Sequence, residues 1–114
     1  MNPKNDVTQL IERLEAFEER CEIRLEALFA IMVNYDDGDY RVGVNGELHP
    51  NEGTNLKQEI TLRVDVYDKA GRLIARGDEQ FLREDFFGFR TFSIDAMVRT
   101  TEKPSKIRVY PTIP

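Results

Sequence analysis

The sequence predicts a mainly β fold: an antiparallel sandwich of six or seven strands, led by one amphipathic α-helix. Three observations predict it. The stretch "VNYDDGDYRVGV", residues 33–44, sets a turn dipeptide, Asp37-Gly38, between two runs of alternating apolar residues. The stretch "ITLRVDVYDKAGRLIARG", residues 60–77, repeats that arrangement around Gly71. Before both, Val7, Leu10, Ile11, Leu14, Phe17 and Cys21 recur at helical spacing.

Composition sets the outer limits. The chain has 114 residues, is 40% hydrophobic and 32% charged, and holds seven Phe and four Tyr. That suits one globular domain with its own core and not a disordered chain. One cysteine, Cys21, cannot form an internal disulfide, so nothing calls for an oxidising compartment. The start "MNPKNDVTQL" has no basic region followed by an apolar run, which leads us to expect a cytoplasmic protein. The longest apolar run, "ALFAIMV" (27–33), is too short to span a bilayer.

Charge narrows the partners. The net charge is −5, and residues 1–57 carry six basic and twelve acidic side chains. Such a balance argues against nucleic acid or an anionic membrane. The one basic cluster, Arg99, Lys103, Lys106 and Arg108, lacks interleaved aromatics and reads as a solvated strand edge.

The helix is expected over residues 6–21, within a helical segment 1–22 that precedes a sandwich domain at 23–114. Asp6 followed by Gln9 resembles a capping box, with the carboxylate accepting from early backbone N–H groups. Leu10, Leu14 and Phe17 lie on the apolar stripe. The stripe either packs on its own domain or pairs with a second copy of the chain, about two heptads being short for a free coiled coil.

The next stretch, 22–35, fits both periods: Leu25, Leu28 and Met32 extend the helical stripe, while Ile23, Leu25, Ala27, Phe29, Ile31, Val33 and Tyr35 alternate strictly. The turn decides. With Asp37-Gly38 as a two-residue loop, Tyr35 faces Tyr40, Val33 faces Val42, Ile31 faces Val44, Phe29 faces Gly46 and Ala27 faces Leu48. That pairing is apolar on both sides but for the glycine, so strands are expected at about 23–35 and 40–48. Asp36 and Asp39 then stand opposite each other, at a small cost unless solvated or metal-bound. "NYDDGD" lacks the ligand spacing of an EF-hand loop, and an exposed turn is the simpler reading.

After the turn formers "HPNEGTN" (49–55), Ile60, Leu62, Val64 and Val66 alternate with Thr61, Arg63, Asp65 and Tyr67. "DKAG" is a type I turn with Gly71 free for the left-handed position after it. "FRTFSID" makes a further strand, with Gly88 marking the turn into it. Phe81, Phe87, Phe89 and Phe92 are expected in the core. The adjacent Phe86 and Phe87 cannot both face inward on a strand, and Phe86 is taken as the aromatic at a loop tip where a partner anchors. A short last strand, Ile107 to Tyr110, is ended by Pro111.

No catalytic apparatus is visible. The lone His49 and Cys21 sit in separate elements, Ser93 and Ser105 lack a glycine elbow, and zinc needs more ligands than these. The pairs Glu84-Asp85 and Asp78-Glu79 are adjacent, so their carboxylates point apart. No catalytic, metal or cofactor-binding residue is assigned, and no cofactor is expected.

The stretch from Gly38 to Gly77 followed by "GFRTFSI" resembles the FxLYD family of small immunoglobulin-like domains. The matching residues are Gly46, Tyr67, Asp68, Gly71, Gly88 and Phe92, within about residues 28–96. The chain departs from the pattern at Val64 and Val66, where the name-giving Phe and Leu stand. His49-Pro50 also lies near the usual asparagine. The resemblance implies an immunoglobulin-like fold and an accessory or interaction role, often at the cell envelope. The expectation is therefore a non-catalytic protein-interaction module. It contacts another protein or itself through Phe86, Leu10, Leu14 and Phe17, with a homodimer through the helix as one form. The alternative is a domain that binds a small ligand or, weakly, a cation.

Overall fold

In a computed structural model, which describes residues 4–114, eight strands form two four-stranded sheets. In chain order these are β1 (Lys4–Asp6), β2 (Ile11–Arg13), β3 (Ile23–Asn34), β4 (Tyr40–Pro50), β5 (Ile60–Tyr67), β6 (Leu73–Phe81), β7 (Arg90–Val98) and β8 (Lys106–Thr112). The first sheet runs β1-β3-β4-β7 and the second β2-β8-β5-β6. All neighbours are antiparallel except β2 and β8. Inward residues of both sheets share one core, Val42, Val44 and Ile94 meeting Leu62, Val64 and Val109. No helix among the described residues is long and apolar enough to cross a membrane.

The N-terminal helix expected over 6–21 is not present. Only α1 (Glu15–Arg20) is helical, six residues long. Ahead of it the chain makes β1, a 3-10 turn at Thr8–Leu10, and β2. The reason is that ladder partners are available on both sides. β1 pairs with β3, and β2 pairs with β8, so this segment crosses from one sheet to the other and closes that flank of the molecule. Val7 and Leu10 still face the core, which is why the apolar spacing imitates a helix. Asp6 does cap, but it caps the 3-10 turn: its Oδ1 accepts the Thr8 N–H at 2.9 Å. Thr8 in turn stands in for a strand residue, its Oγ1 accepting the Ala30 N–H at 3.0 Å.

The helix α1 is pinned by one carboxylate. Glu18 is buried, and it accepts Arg13 Nη2 at 2.7 Å, Arg13 Nε at 3.2 Å and the Leu25 N–H at 3.0 Å. A buried carboxylate needs such partners, and these hold α1 against the start of β3. Glu12 meets Arg108 at 3.0 Å and Lys106 at 3.7 Å. The acidic N-terminal segment thus answers the basic C-terminal cluster within one chain, here through the β2–β8 pair.

The hairpin at 33–44 exists, but its register is one residue away from the expected one. The loop is Asp36-Asp37-Gly38: Gly38 N–H donates to the Tyr35 carbonyl at 3.2 Å and Tyr35 N–H to the Asp39 carbonyl at 2.9 Å. Gly38 takes φ +92. This is a type I turn followed by a left-handed glycine, as at Asp68–Arg72, where Gly71 has φ +83. Tyr35 therefore faces Asp39, Met32 faces Val42, Ala30 faces Val44, and Ile31 faces Gly43. Ile31 and Val33 belong to the outward side, where they stand beside Asp6 and Lys4 of β1.

The apolar alternation survives because β3 changes face midway. A bulge between Glu26 and Phe29 leaves Ala27 at φ +55. Before it Ile23 and Leu25 point inward; after it Ala30 and Met32 do. Gly46 sits opposite the bulge, where a Cβ would press on Leu28 Cδ2 at 2.7 Å and Phe92 Cζ at 2.9 Å. A smaller correction concerns β8, which continues through Pro111 to Thr112 opposite Leu62 and Thr61. β2 ends opposite Val109, so this part of β8 is an edge, where proline is tolerated.

Candidate functional site

The two loops at one end of the sandwich, 51–59 and 82–89, carry the most exposed aromatic residue. Phe87 is 80% exposed. Its loop is held at three points: Gly88 N–H donates to the Thr54 carbonyl at 2.7 Å, Arg83 N–H to Glu59 at 2.7 Å, and Arg83 Nε to the Leu56 carbonyl at 3.1 Å. Gly88 has φ +80, a conformation that lets the chain turn directly into β7. Phe86, expected at the loop tip, is instead buried in the core with Leu56 and Phe81. The neighbouring pair does split between inside and outside, but with Phe87 outside.

Phe89, expected inside, is 49% exposed and stacks on His49, ring centroids 4.9 Å apart and planes 6° from parallel. His49 is thus a strand residue at the end of β4. Its Nε2 lies 2.9 Å from Glu47 and 3.5 Å from Glu26. Arg24 in turn donates to Glu26 at 2.8 Å and to the Pro50 carbonyl at 2.9 Å. Aromatic surface and acidic groups therefore share this end of the first sheet.

The other named residues lie on the opposite flank. Leu10 and Leu14 are half-buried, and Leu10 packs on the core. Phe17 is partly exposed and meets the Tyr110 ring edge-on at 5.5 Å. They do not form one stripe, because they belong to a 3-10 turn, a linker and a six-residue helix. Between α1 and the end of β8, Phe17, Arg20, Cys21 and Ile113 line a hollow of about 240 Å³. Cys21 is buried there, and burial pushes its thiol pKa up, the opposite of what a reactive thiolate needs.

On the outer side of the second sheet, Asp65 is buried beneath two partners. It accepts Arg76 Nε at 2.7 Å and the Tyr110 hydroxyl at 2.6 Å. Burial by itself raises this carboxyl; the Arg76 and Tyr110 hydrogen bonds outweigh it and hold the group below its ordinary range. Asp68, at the hairpin turn, is lowered by the Arg72 N–H and guanidinium. These carboxylates are satisfied by their own neighbours.

In the Asp36–Asp39 turn the Asp37 carboxylate is used locally, its Oδ1 accepting the Asp39 N–H at 2.9 Å. Among the described residues no three His, Cys, Asp or Glu side chains come together as a metal would require. Asp78 and Glu79 diverge as strand neighbours should: Asp78 approaches Arg63 at 4.0 Å, while Glu79 lines a groove beside Phe92.

No protein-family model matches the chain, and neither a curated protein nor a solved structure does.

Proposed function

We propose that this chain is a non-catalytic interaction module that engages another protein through its aromatic end, centred on Phe87 and Phe89. The observation that carries this reading is an 80% exposed phenylalanine on a loop fastened at three points. Leaving such a side chain in water gives the folded monomer nothing, whereas an aromatic held in place before binding is the usual anchor of an interface. The fold is read as immunoglobulin-like and of FxLYD type. Its support is that the matched residues occupy constrained places. Tyr67-Asp68 ends β5 and enters the Gly71 turn, Gly46 receives Leu28 and Phe92, and Gly88 turns the chain into β7.

The test is quantitative affinity capture with the full chain and with a Phe87→Ser/Phe89→Ser variant. The expected result is a protein whose recovery falls about tenfold or more with the variant, the scale of a lost interface anchor. Equal recovery of every captured protein by both chains overturns the assignment. Sedimentation over a range of concentrations tests self-association; a single monomer throughout excludes a second copy as the partner.

A further inference from the structure

The outward face of the first sheet holds a long groove that starts at Glu47, beside the His49–Phe89 stack, and runs along the strands from there. One part, of about 430 Å³, is bounded by Ala27, Phe29, Glu47 and Thr91 of that sheet and, beside the β7 edge, by Glu79 of β6 in the second sheet. The other, of about 280 Å³, is bounded by Lys4, Ile31, Arg41, Gly43 and Asp95. Asn45 and Ser93 line both parts, so the two are continuous.

Strand register determines the contents. Phe29, Asn45 and Ser93 stand abreast on β3, β4 and β7. Ile31, Gly43 and Asp95 form the next row, and Val33, Arg41 and Met97 the one after. Phe29 is 46% exposed. Gly43 keeps the floor low, since a Cβ there would come within 3.0 Å of Asp95 Oδ1. Spacing along the strands gives these rows a span of about 20 Å from Glu47 to Arg41.

The polar groups in the groove are incompletely matched. Arg41 Nε is buried without a hydrogen-bond partner among the described residues. The Arg41 guanidinium comes only to 3.8 Å from Asp95, too far for a hydrogen bond. An orphaned buried donor calls for a partner. Burial also raises the Glu79 carboxyl, with Arg90 opposing it.

The mixture of charges selects the ligand. Glu47, Glu79 and Asp95 oppose an anion; Lys4 and Arg41 oppose a cation. A neutral group that both donates and accepts hydrogen bonds satisfies carboxylate, amide, hydroxyl and guanidinium alike. β4, the floor of the groove, is paired on both sides, so a peptide strand cannot lie along the groove by main-chain bonds to β4. An exposed aromatic ring offers an apolar surface to the C–H face of a sugar. The geometry points to an uncharged oligosaccharide lying along this groove, one ring against Phe29, its hydroxyls shared among Asn45, Glu47, Ser93, Asp95 and Arg41.

The full chain, labelled with 15N, is titrated at millimolar concentration with cellotetraose, maltotetraose and mannotetraose. A sulfated heparin tetrasaccharide and a mixed-charge hexapeptide are titrated alongside. At least one neutral sugar should move the amides of residues 29, 43–47 and 91–95. Phe29→Ala should weaken that binding about tenfold, and Arg41→Gln should also weaken it, while amide positions outside the groove stay unchanged. The proposal is overturned if no neutral sugar moves these amides, or if Phe29→Ala binds as well as the wild type. It is equally overturned if the sulfated sugar or the peptide binds there more tightly than every neutral sugar. The Phe87 loop plays no part in this outcome, so it stands or falls apart from the protein-interaction reading.

Discussion

Gly77 of β6 lies directly against Asp95 of β7, so closely that a Cβ at Gly77 would overlap the Asp95 carbonyl. β6 and β7 are the outermost strands of different sheets, and here they close the second flank of the molecule. The obstacle is backbone, which cannot swing aside as a side chain can. Gly77→Ala should therefore destabilise the fold by about 1–3 kcal/mol, and Gly77→Val by more. Urea unfolding of the variants measures this; an unchanged midpoint for Gly77→Val would show that the two sheets are free to separate here.

The bulge predicts a substitution in the opposite direction. Ala27 holds φ +55, a region that penalises any side chain. Ala27→Gly should stabilise the protein by about 0.5–1 kcal/mol, because the relieved strain exceeds the entropy glycine adds to the unfolded chain. Ala30→Gly, in the same strand but fully buried and regular, should destabilise it. Denaturant midpoints of the pair decide the matter, and the same sign for both contradicts the bulge.

Asp65 predicts the acid limb of stability. Its carboxyl is held below the ordinary 3.8 in the folded state. A depressed carboxyl contributes stability that is present above the unfolded value and lost as pH falls through the folded one. Unfolding free energy should thus drop below about pH 4 in the wild type and drop less in Asp65→Asn. At neutral pH, Asp65→Asn should cost about 2 kcal/mol through the weakened Arg76 and Tyr110 bonds. Parallel acid-limb curves for the two proteins would remove Asp65 as the cause.

Tyr40 predicts the alkaline limb. Its hydroxyl donates to the Glu102 carbonyl at 2.6 Å, and burial, aided by the Glu102 and Asp68 charges, pushes its pKa from 10.0 to about 12. A raised pKa gives stability that is complete below the unfolded value and lost as pH rises through the folded one. The wild type should therefore lose stability between pH 10 and 12. Tyr40→Phe should be weaker by about 1 kcal/mol at neutral pH, and that deficit should shrink as pH rises through the same interval. A constant deficit at every pH would contradict a buried, protonated Tyr40.

The second hairpin could be read from the chain. Ile60, Leu62, Val64 and Val66 alternate without interruption, and the Asp68–Gly71 turn places its glycine where a left-handed residue is required. The first hairpin has the same loop type, yet Asp37-Gly38 looks like a two-residue loop when seen alone, and one residue of difference moves Ile31 from Val44 to Gly43. The bulge left no trace, since alanine is an uncommon left-handed residue and nothing in "EALFA" announces one. The aromatic end was half legible: adjacency showed that Phe86 and Phe87 must part, but not which one the core would accept.

Local chemistry alone established a mainly β chain with turns at Gly38 and Gly71 and the buried set of β5, because period-two alternation and glycine turns act between near neighbours. Tertiary structure decided the rest. Val7, Leu10 and Ile11 satisfy the spacing of a helix over 6–21, yet the chain there makes β1, a 3-10 turn and β2 because β3 and β8 offer it ladder hydrogen bonds that an isolated segment does not have. The groove along Phe29, Asn45 and Ser93 exists only because three strands distant in sequence lie in one register. Pairing between distant strands, which nearest-neighbour patterns do not encode, separates what this sequence states from what its fold adds.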